Sequence, residues 1–577
     1  MNLRRPQAYA TLIAWLVVWT PVARAAEEAP FVIADFEGPS ALDNWHGPLS
    51  LGPGHRGQGA VLTYRSEAVA MWQPVSPLPK RHNPAISFWI RFQADTDVFL
   101  VAKDTSGGTF QFPVRTTLEH PKAGGWQYVV APLSTKGRLA EVGIRVQPRG
   151  RQTPESSVTF DDIELRESAE PFRLDPGAEV APPLRERVEL GVNIHLLRDD
   201  PALDLAHSAG FQFVRMDMLW ANVERAGRYR FFAYDGLLRA LDARGMGVLW
   251  ILDYGHPDHG GSTPRTPQDI AAFGRFAEAA AAHFKGRNVR YEIWNEPNTS
   301  QFWTPAPNPS EYASLLREAV ASIHRADPEA KVLSGGLSRL DATFLSRSVD
   351  PALAASLAAI GIHPYPQNGP ESIAPDLGAL RDWVARVYGE RLELWDTEWG
   401  YSSANSPKEA PSNGHTESGR KRQAVLAVRE ILTVWNTGLP LAVYYDLRDD
   451  GTDPANPEHN YGLLDSSGNE KPAMRAIHGL MDAVKSRKVA GMVRPTPEGI
   501  HAMRLDGADT LFMVWTDQAG GRRRVEYPKG DLISVTDLWG KAVKTKDGSA
   551  GRARTDIEEA GGPIFFVYRR SASLGAR

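Results

Sequence analysis

The sequence predicts a (β/α)8 barrel flanked by two β-rich domains, and three observations predict it. Between positions 188 and 486, apolar strand-like runs alternate with helix-like segments eight times, the number of units in a closed barrel rather than an open sheet. On either side, short alternating runs divided by Gly, Pro and Ser clusters read as β-sandwiches. Polar and aromatic residues gather at one end of nearly every barrel strand, while the turns "AHSAG", "DARG" and "WNTG" at the other end are small and glycine-capped.

The elements follow in order. Residues 1–26 read as an export signal: Arg4 and Arg5, an apolar run from Leu12 to Trp19, and "ARA" ending at Ala25, with cleavage after Ala25 or Ala26. The apolar run is short for a bilayer span, so no membrane span is expected after cleavage, and a retained anchor is the alternative. Residues 30–168 carry runs such as "FVIADFE", "AISFWIRFQ" and "SVTFDDIELR", expected as a β-sandwich. Residues 169–187, rich in Pro and charge and lacking periodicity, read as a linker. The barrel, 188–486, has the strand runs "VELGVNIH", "FQFVRMDML", "GVLWILDY", "VRYEIWNE", "KVLSGGLS", "AIGIHPY", "LELWDTEWGY" and "LAVYYDLRDD". Residues 490–570 return to short strands, read as a small β-sandwich or as strands packed on the barrel.

Totals exclude several classes. Over 577 residues, Lys+Arg 65 against Asp+Glu 69 leaves a formal charge of −4, which offers no footprint for nucleic acid or an anionic membrane. There are no cysteines, hence no disulfides, thiolate metal site or cysteine nucleophile. "GPGHRG" (52–57) matches a phosphate-loop pattern, but a strand, "QGAVLTYRS", follows it where a helix is required. "HPDHG" (256–260) lacks a third metal ligand and "DDGTDP" (449–454) lacks the closing Glu of a calcium loop. No metal and no cofactor are expected.

In such barrels reactive groups sit at the C-terminal ends of the strands. Those ends carry His195, Arg215 with Asp217, Tyr254, Asn295 with Glu296, His363 with Tyr365, Glu398 with Trp399, and Tyr445. Glu296 ends the fourth strand and Glu398 the seventh, which face each other across a barrel mouth. Cleaving a glycosidic bond takes one carboxylic acid to protonate the leaving oxygen and one carboxylate on the other face of the sugar. At a separation of about 5–5.5 Å the second attacks directly and configuration is retained. Glu398 must then stay ionised, and Arg215 and Tyr365 are placed to hold it so. Glu292 and Asp396 lie deeper in the same strands and read as buried, paired charges. Strict alternation sends Asn295 and Glu296 to opposite faces, so both reach one sugar only if the pleat breaks, as a bulge would allow.

"WNEPN" and "DTEWG" resemble the acid/base and nucleophile motifs of the retaining glycoside hydrolases of clan A. "GVNIH", "HPY" and "YYDLRDDGTDPANPEHNYGLLDSSGNEKPA" resemble family 39, and within it endoglycosidases of bacterial biofilm exopolysaccharides. The resemblance implies Glu296 as acid/base, Glu398 as nucleophile, Asn295 as ligand of the sugar 2-hydroxyl, and Arg215, His363 and Tyr365 as the shell around the nucleophile. His195, Tyr254, Tyr445 and Trp399 join them as substrate-binding candidates, Trp399 as a sugar platform. Many clan members place a Trp on the eighth strand where this chain has "VYYDL". The first unit resembles carbohydrate-binding jelly rolls, with a packing domain as the alternative. The expectation is a periplasmic or secreted endo-glycosidase of a polysaccharide, working beside exopolysaccharide synthesis or export machinery. An exo-acting β-xylosidase-like enzyme and a non-hydrolytic polysaccharide-binding or export factor are the alternatives.

Overall fold

The computed structural model describes residues 31–570 apart from 39, 65–67, 76–83, 93–95, 115–125, 134–137, 149–155, 168–171, 367–368, 405–412, 498, 518–521 and 549–550. The export-signal segment lies outside the described residues. Among those described, no helix is long and apolar enough to cross a membrane. The chain forms two compact units, one up to position 169 without 111–120, the other holding the remainder.

The first unit consists of two antiparallel sheets. One joins Leu49–Pro53, Gln58–Tyr64, Ser156–Glu167, Pro84–Phe92 and Gln127–Pro132, with Phe31–Ala34 added on Ser156–Glu167. The other joins Val69–Pro74, Leu139–Pro148, Thr96–Asp104 and Thr109–Pro113. Strict alternation along Thr96–Asp104 buries Val98, Leu100 and Ala102, as a sheet with one core face requires.

The second unit is built on a closed parallel barrel of β1 (Glu189–Asn193), β2 (Phe213–Leu219), β3 (Gly247–Asp253), β4 (Val289–Asn295), β5 (Lys331–Ser338), β6 (Ala359–His363), β7 (Glu393–Trp399) and β8 (Leu441–Tyr444), closed by β8 on β1. Local chemistry sets the helices between them. Pro267–Phe284 starts at Thr266, whose hydroxyl caps Asp269 N–H, and Pro309–Ala326 starts at Asn308, which caps Ser310 and Glu311. Glu417–Thr437 stops at Gly438, the left-handed residue of "WNTG".

The barrel interior is layered. Towards the N-terminal end, Phe213, Leu249, Leu333, Ala359, Trp395, Leu441 and Val443 form an apolar plug. Arg290 lies over the Phe213 and Trp395 rings and pairs with Glu189 at 2.6 Å. This plug keeps water out from below, so the ionisable groups above it are open to one side only.

The C-terminal strands share the barrel's hydrophobic core: Val489, Met503, Leu511, Met513, Trp515 and Phe565 belong to one cluster with barrel residues. The stretch expected as a linker contributes to these sheets. Phe172–Arg173 pairs with Arg522–Pro528 and Val180–Ala181 with Lys488–Val493. Two-residue strands carry no alternation to read, and their partners lie hundreds of residues away.

Candidate active site

Arg215 on β2 organises the mouth of the barrel. Its buried guanidinium donates to Glu292 Oε2 (2.7 Å), Asn193 Oδ1 (2.9 Å), Glu398 Oε2 (2.7 Å) and Asn295 Oδ1 (2.9 Å). A planar, permanently charged fork suits such a hub, because each N–H has a fixed direction. Glu292 is wholly buried and fully paired: besides Arg215 it accepts from Gly336 N–H (2.6 Å) and Thr397 Oγ1 (3.1 Å). Gly336 has no choice of side chain, since a Cβ there would lie 2.0 Å from His363 Nε2 and 2.7 Å from Glu292 Oε1. The "SGG" of β5 is the sequence trace of this crowding.

Glu398 ends β7 with one oxygen on Arg215 and the other accepting from Tyr365 OH at 2.9 Å. Burial pushes its pKa up, but the charges of His363 and Arg215 and the bonds from Tyr365 and Arg215 outweigh burial and hold it below the ordinary value. A carboxylate kept ionised in a nearly closed site is a competent nucleophile. Glu296 lies opposite, its Oε1 2.9 Å from His363 Nδ1. That same nitrogen is 4.0 Å from Glu398 Oε2, so both carboxylates converge on one atom. His363, implied by resemblance to belong around the nucleophile, sits closer to the acid/base candidate.

The pleat does break at the end of β4, though not by a bulge. Register with β5 is constant from Arg290↔Lys331 to Asn295↔Gly336, so no residue is inserted. Instead Trp294 (φ 74°) and Glu296 (φ 42°) take left-handed backbone on either side of Asn295. Each such conformation costs about 1 kcal/mol for a residue with a Cβ, and Tyr365 (φ 35°) and Arg339 (φ 62°) share it. Three of them, Glu296, Arg339 and Tyr365, border the same cleft, and Trp294 lies buried just behind it. The local twist lets Asn295 and Glu296 face it together.

The cleft has a volume of about 500 Å³, and its lining includes His195, Arg215, Asp217, Tyr254, Asn295, Glu296, Tyr365, Glu398 and Tyr445. On one wall Tyr254 stacks over Phe302 at 5.9 Å; on the other Tyr445 meets Tyr461 edge-on at 5.4 Å. His363 is buried beneath them. Trp399 corrects the expectation of a sugar platform: it is wholly buried in the barrel core, as are Trp220 and Trp303. Flat surface at the cleft comes from Tyr254, Phe302 and the tyrosine pair instead. Asp396 is a second correction. It is buried but forms no ion pair among the described residues, and burial first, then the charge of Glu398, raises its pKa well above the ordinary carboxylate value, so it is held neutral.

Sequence reasoning missed three features. Asp253, wholly buried, faces Asp217, and burial plus that neighbour keeps Asp253 protonated. Glu458 and Tyr461 enter the cleft from the loop after β8; no periodicity marks them. His195 pairs with Asp450 at 2.7 Å, and this hydrogen bond is the chief cause of a pKa pushed up to about 9.

His195, Asp446 and Asp450 present ligand atoms within 4.8 Å of one another, a set able to hold a cation. His195 Nδ1 is already engaged by Asp450. The histidines of "HPDHG" are used in packing: His256 caps Asp258 N–H, and His259 stacks on Trp220 and pairs with Glu224.

Residues 189–428 match the family model described as Cellulase (glycosyl hydrolase family 5). Among solved structures the chain is similar to a family 39 glycoside hydrolase from the gut symbiont Bacteroides cellulosilyticus WH2, with 18% identity over 86% of this chain and 97% of that one and a TM-score of 0.57. It is also similar to a family 39 β-xylosidase from Caulobacter crescentus, with 17% identity over 70% and 100% and a TM-score of 0.49. No curated protein matches. Closed barrel, paired carboxylates and family match together support one class, the glycoside hydrolases of clan A. Within it, the Bacteroides structure shares the fold at low identity.

Proposed function

We propose that the chain is an exported, retaining, endo-acting glycoside hydrolase of a polysaccharide, with a bacterial exopolysaccharide as substrate. One observation carries the chemistry: Glu296 and Glu398 converge on His363 Nδ1 while Arg215 and Tyr365 hold Glu398 ionised.

In the first half-reaction Glu398 attacks the anomeric carbon as Glu296 gives its proton to the leaving oxygen. In the second, Glu296 takes a proton from water, which displaces Glu398 and releases the sugar. Asn295, oriented by Arg215, presents its amide to the bound ring. The Arg215 charge is shared between Glu292 and Glu398, so charge leaving Glu398 during attack is not stranded against an unpaired cation. Endo action is supported by side chains that reach the cleft from the loops after β4, β5 and β8, namely Gln301 and Phe302, Arg339, and Glu458 and Tyr461. These give a chain several places to rest along its length.

Product analysis tests the proposal. Wild type, Glu296→Gln and Glu398→Gln are incubated with purified bacterial exopolysaccharides and plant β-glycans. Oligosaccharides released from one exopolysaccharide by wild type alone support the reading. Monosaccharide release from chain ends overturns endo action. Binding of a polymer with no cleavage by any form overturns hydrolysis altogether.

A further inference from the structure

The run "YYDLRDD" leaving β8 carries three aspartates, Asp446, Asp449 and Asp450, and their surroundings differ. Asp449 is neutralised: it accepts from Lys471 Nζ at 2.9 Å and from Gly462 N–H at 2.8 Å. Among the described residues, no Lys or Arg forms an ion pair with Asp446 or Asp450. The cations nearby are committed elsewhere, Lys471 to Asp449, Arg448 to Asp200, and Arg215 to Glu292 and Glu398.

What Asp446 and Asp450 do face is His195. β1 and β8 pair in parallel with Val192 opposite Tyr444, and beyond the pairing Leu447 N–H donates to Asn193 O. The two segments therefore leave the barrel side by side, which brings His195 against the aspartate run. His195 Nδ1 lies 2.7 Å from Asp450 Oδ1 and 3.9 Å from Asp446 Oδ2. One ligand atom from each of the three residues lies within 4.8 Å of the other two. A separate observation points to a cation here. Asp446 is only 2% exposed, yet its Oδ1 has no hydrogen-bond partner. A carboxylate shut away from water with an unpaired oxygen is costly, and a cation beside it removes that cost.

The donor set selects the ion. One imidazole nitrogen with two carboxylates suits zinc or manganese, whereas calcium and magnesium favour oxygen-only shells. Bonds of about 2.0–2.2 Å put two ligands of one such ion no more than about 4.4 Å apart. Both contacts from His195 already fit, and the partly exposed Asp450 has room to turn. A cation between His195 Nδ1 and Asp450 Oδ1 replaces the proton they share, which leaves to solvent. We propose that His195, Asp446 and Asp450 form a binding site for one divalent transition ion, of the zinc or manganese class, at the rim of the cleft. Three protein ligands leave positions on the ion for other oxygens, and His195 lines the cleft. The ion takes no part in the double displacement. It offers those positions to sugar hydroxyls, a role that rests on the glycoside hydrolase reading; the site itself does not.

The test uses the untagged full chain, stripped with EDTA, dialysed, and titrated calorimetrically with zinc, manganese or calcium chloride. The expected result is one zinc or manganese ion per chain, with calcium bound far more weakly. His195→Ala and Asp446→Asn should each weaken binding about tenfold or more. Thermal melts of the metal-free proteins check that the variants fold alike, and His195→Ala, at a partly exposed position, carries the test alone if Asp446→Asn does not fold. No binding of zinc or manganese, binding equally tight in the folded variants, or calcium bound as tightly as zinc overturns the proposal. Activity separates the two readings. A chain that binds the ion through His195 yet cuts no polymer keeps the site and loses the hydrolase. One that cuts polymer with the same KM with and without the ion keeps the hydrolase and overturns the ion's role in holding sugar.

Discussion

Two buried arginines anchor the second unit, and they do different work. Arg215 lies at the barrel mouth between Glu292 and Glu398. Arg429, on helix Glu417–Thr437, lies between Glu371 and Glu559. Both are essentially inaccessible and both are paired with two carboxylates. They differ in what lies beyond. Glu371 is closed off by Trp515, whose indole N–H donates to it at 2.7 Å, so that network ties the loop after β6 to the C-terminal sheet. Glu398 opens onto a cleft and onto a second carboxylate. A buried ion pair is weak evidence of function; a buried ion pair with one reachable oxygen and a converging acid is much stronger evidence.

Substitutions sharpen the contrast, beginning with the largest effect. Glu398→Gln removes the nucleophile and should lower kcat on the order of 10⁴-fold or more, with little change in melting temperature. Glu296→Gln should lower kcat by roughly 10² to 10⁴-fold. The loss should be much smaller on aryl glycosides whose leaving group needs no proton, and kinetics on a nitrophenyl glycoside checks this. At the other arginine, Arg429→Met strands Glu371 among buried groups and should cost about 3–5 kcal/mol of stability, read by denaturant unfolding. Loss of activity in that variant without loss of stability would break the comparison.

Two smaller effects concern pH. The charges of His363 and Arg215 and the hydrogen bond from Tyr365 hold Glu398 below its ordinary pKa, so Tyr365→Phe should raise that pKa and move the acidic limb of kcat/KM to higher pH, because at any given acidic pH fewer molecules then carry the ionised nucleophile. An unmoved limb would remove Tyr365 from this role. His195 is raised to about 9 by Asp450. A raised histidine adds stability that is complete below its unfolded pKa and vanishes as pH rises through the folded one. Asp450→Asn should therefore lower stability at pH 6 and not at pH 10. The pair is partly exposed, so the loss is at most about 1 kcal/mol.

Much of this was legible in the sequence because it repeats or because it is short and chemically loaded. Eight strand–helix units announce the barrel, and Glu296 and Glu398 are strand-end carboxylates in motifs that packing alone does not explain. What stayed hidden was set by tertiary context. Trp399 looked like a platform beside Glu398, but its side chain turns into the barrel core. Asp396 and Glu292 read alike as paired charges deep in their strands, yet only Glu292 forms an ion pair with Arg215. The left-handed turn at Trp294 and Glu296 leaves no glycine to mark it, because the surrounding packing imposes the strain. Phe172–Arg173 and Val180–Ala181 gain strand structure only from partners hundreds of residues away.

The stereochemistry of the first product, followed by NMR on the polymer that wild type cuts, tests Glu398 as the nucleophile. A nucleophilic Glu398 requires that newly released reducing ends first appear in the anomeric configuration of the bond broken, then equilibrate. Products appearing first in the opposite configuration would contradict it, since water and not Glu398 would then have attacked the sugar.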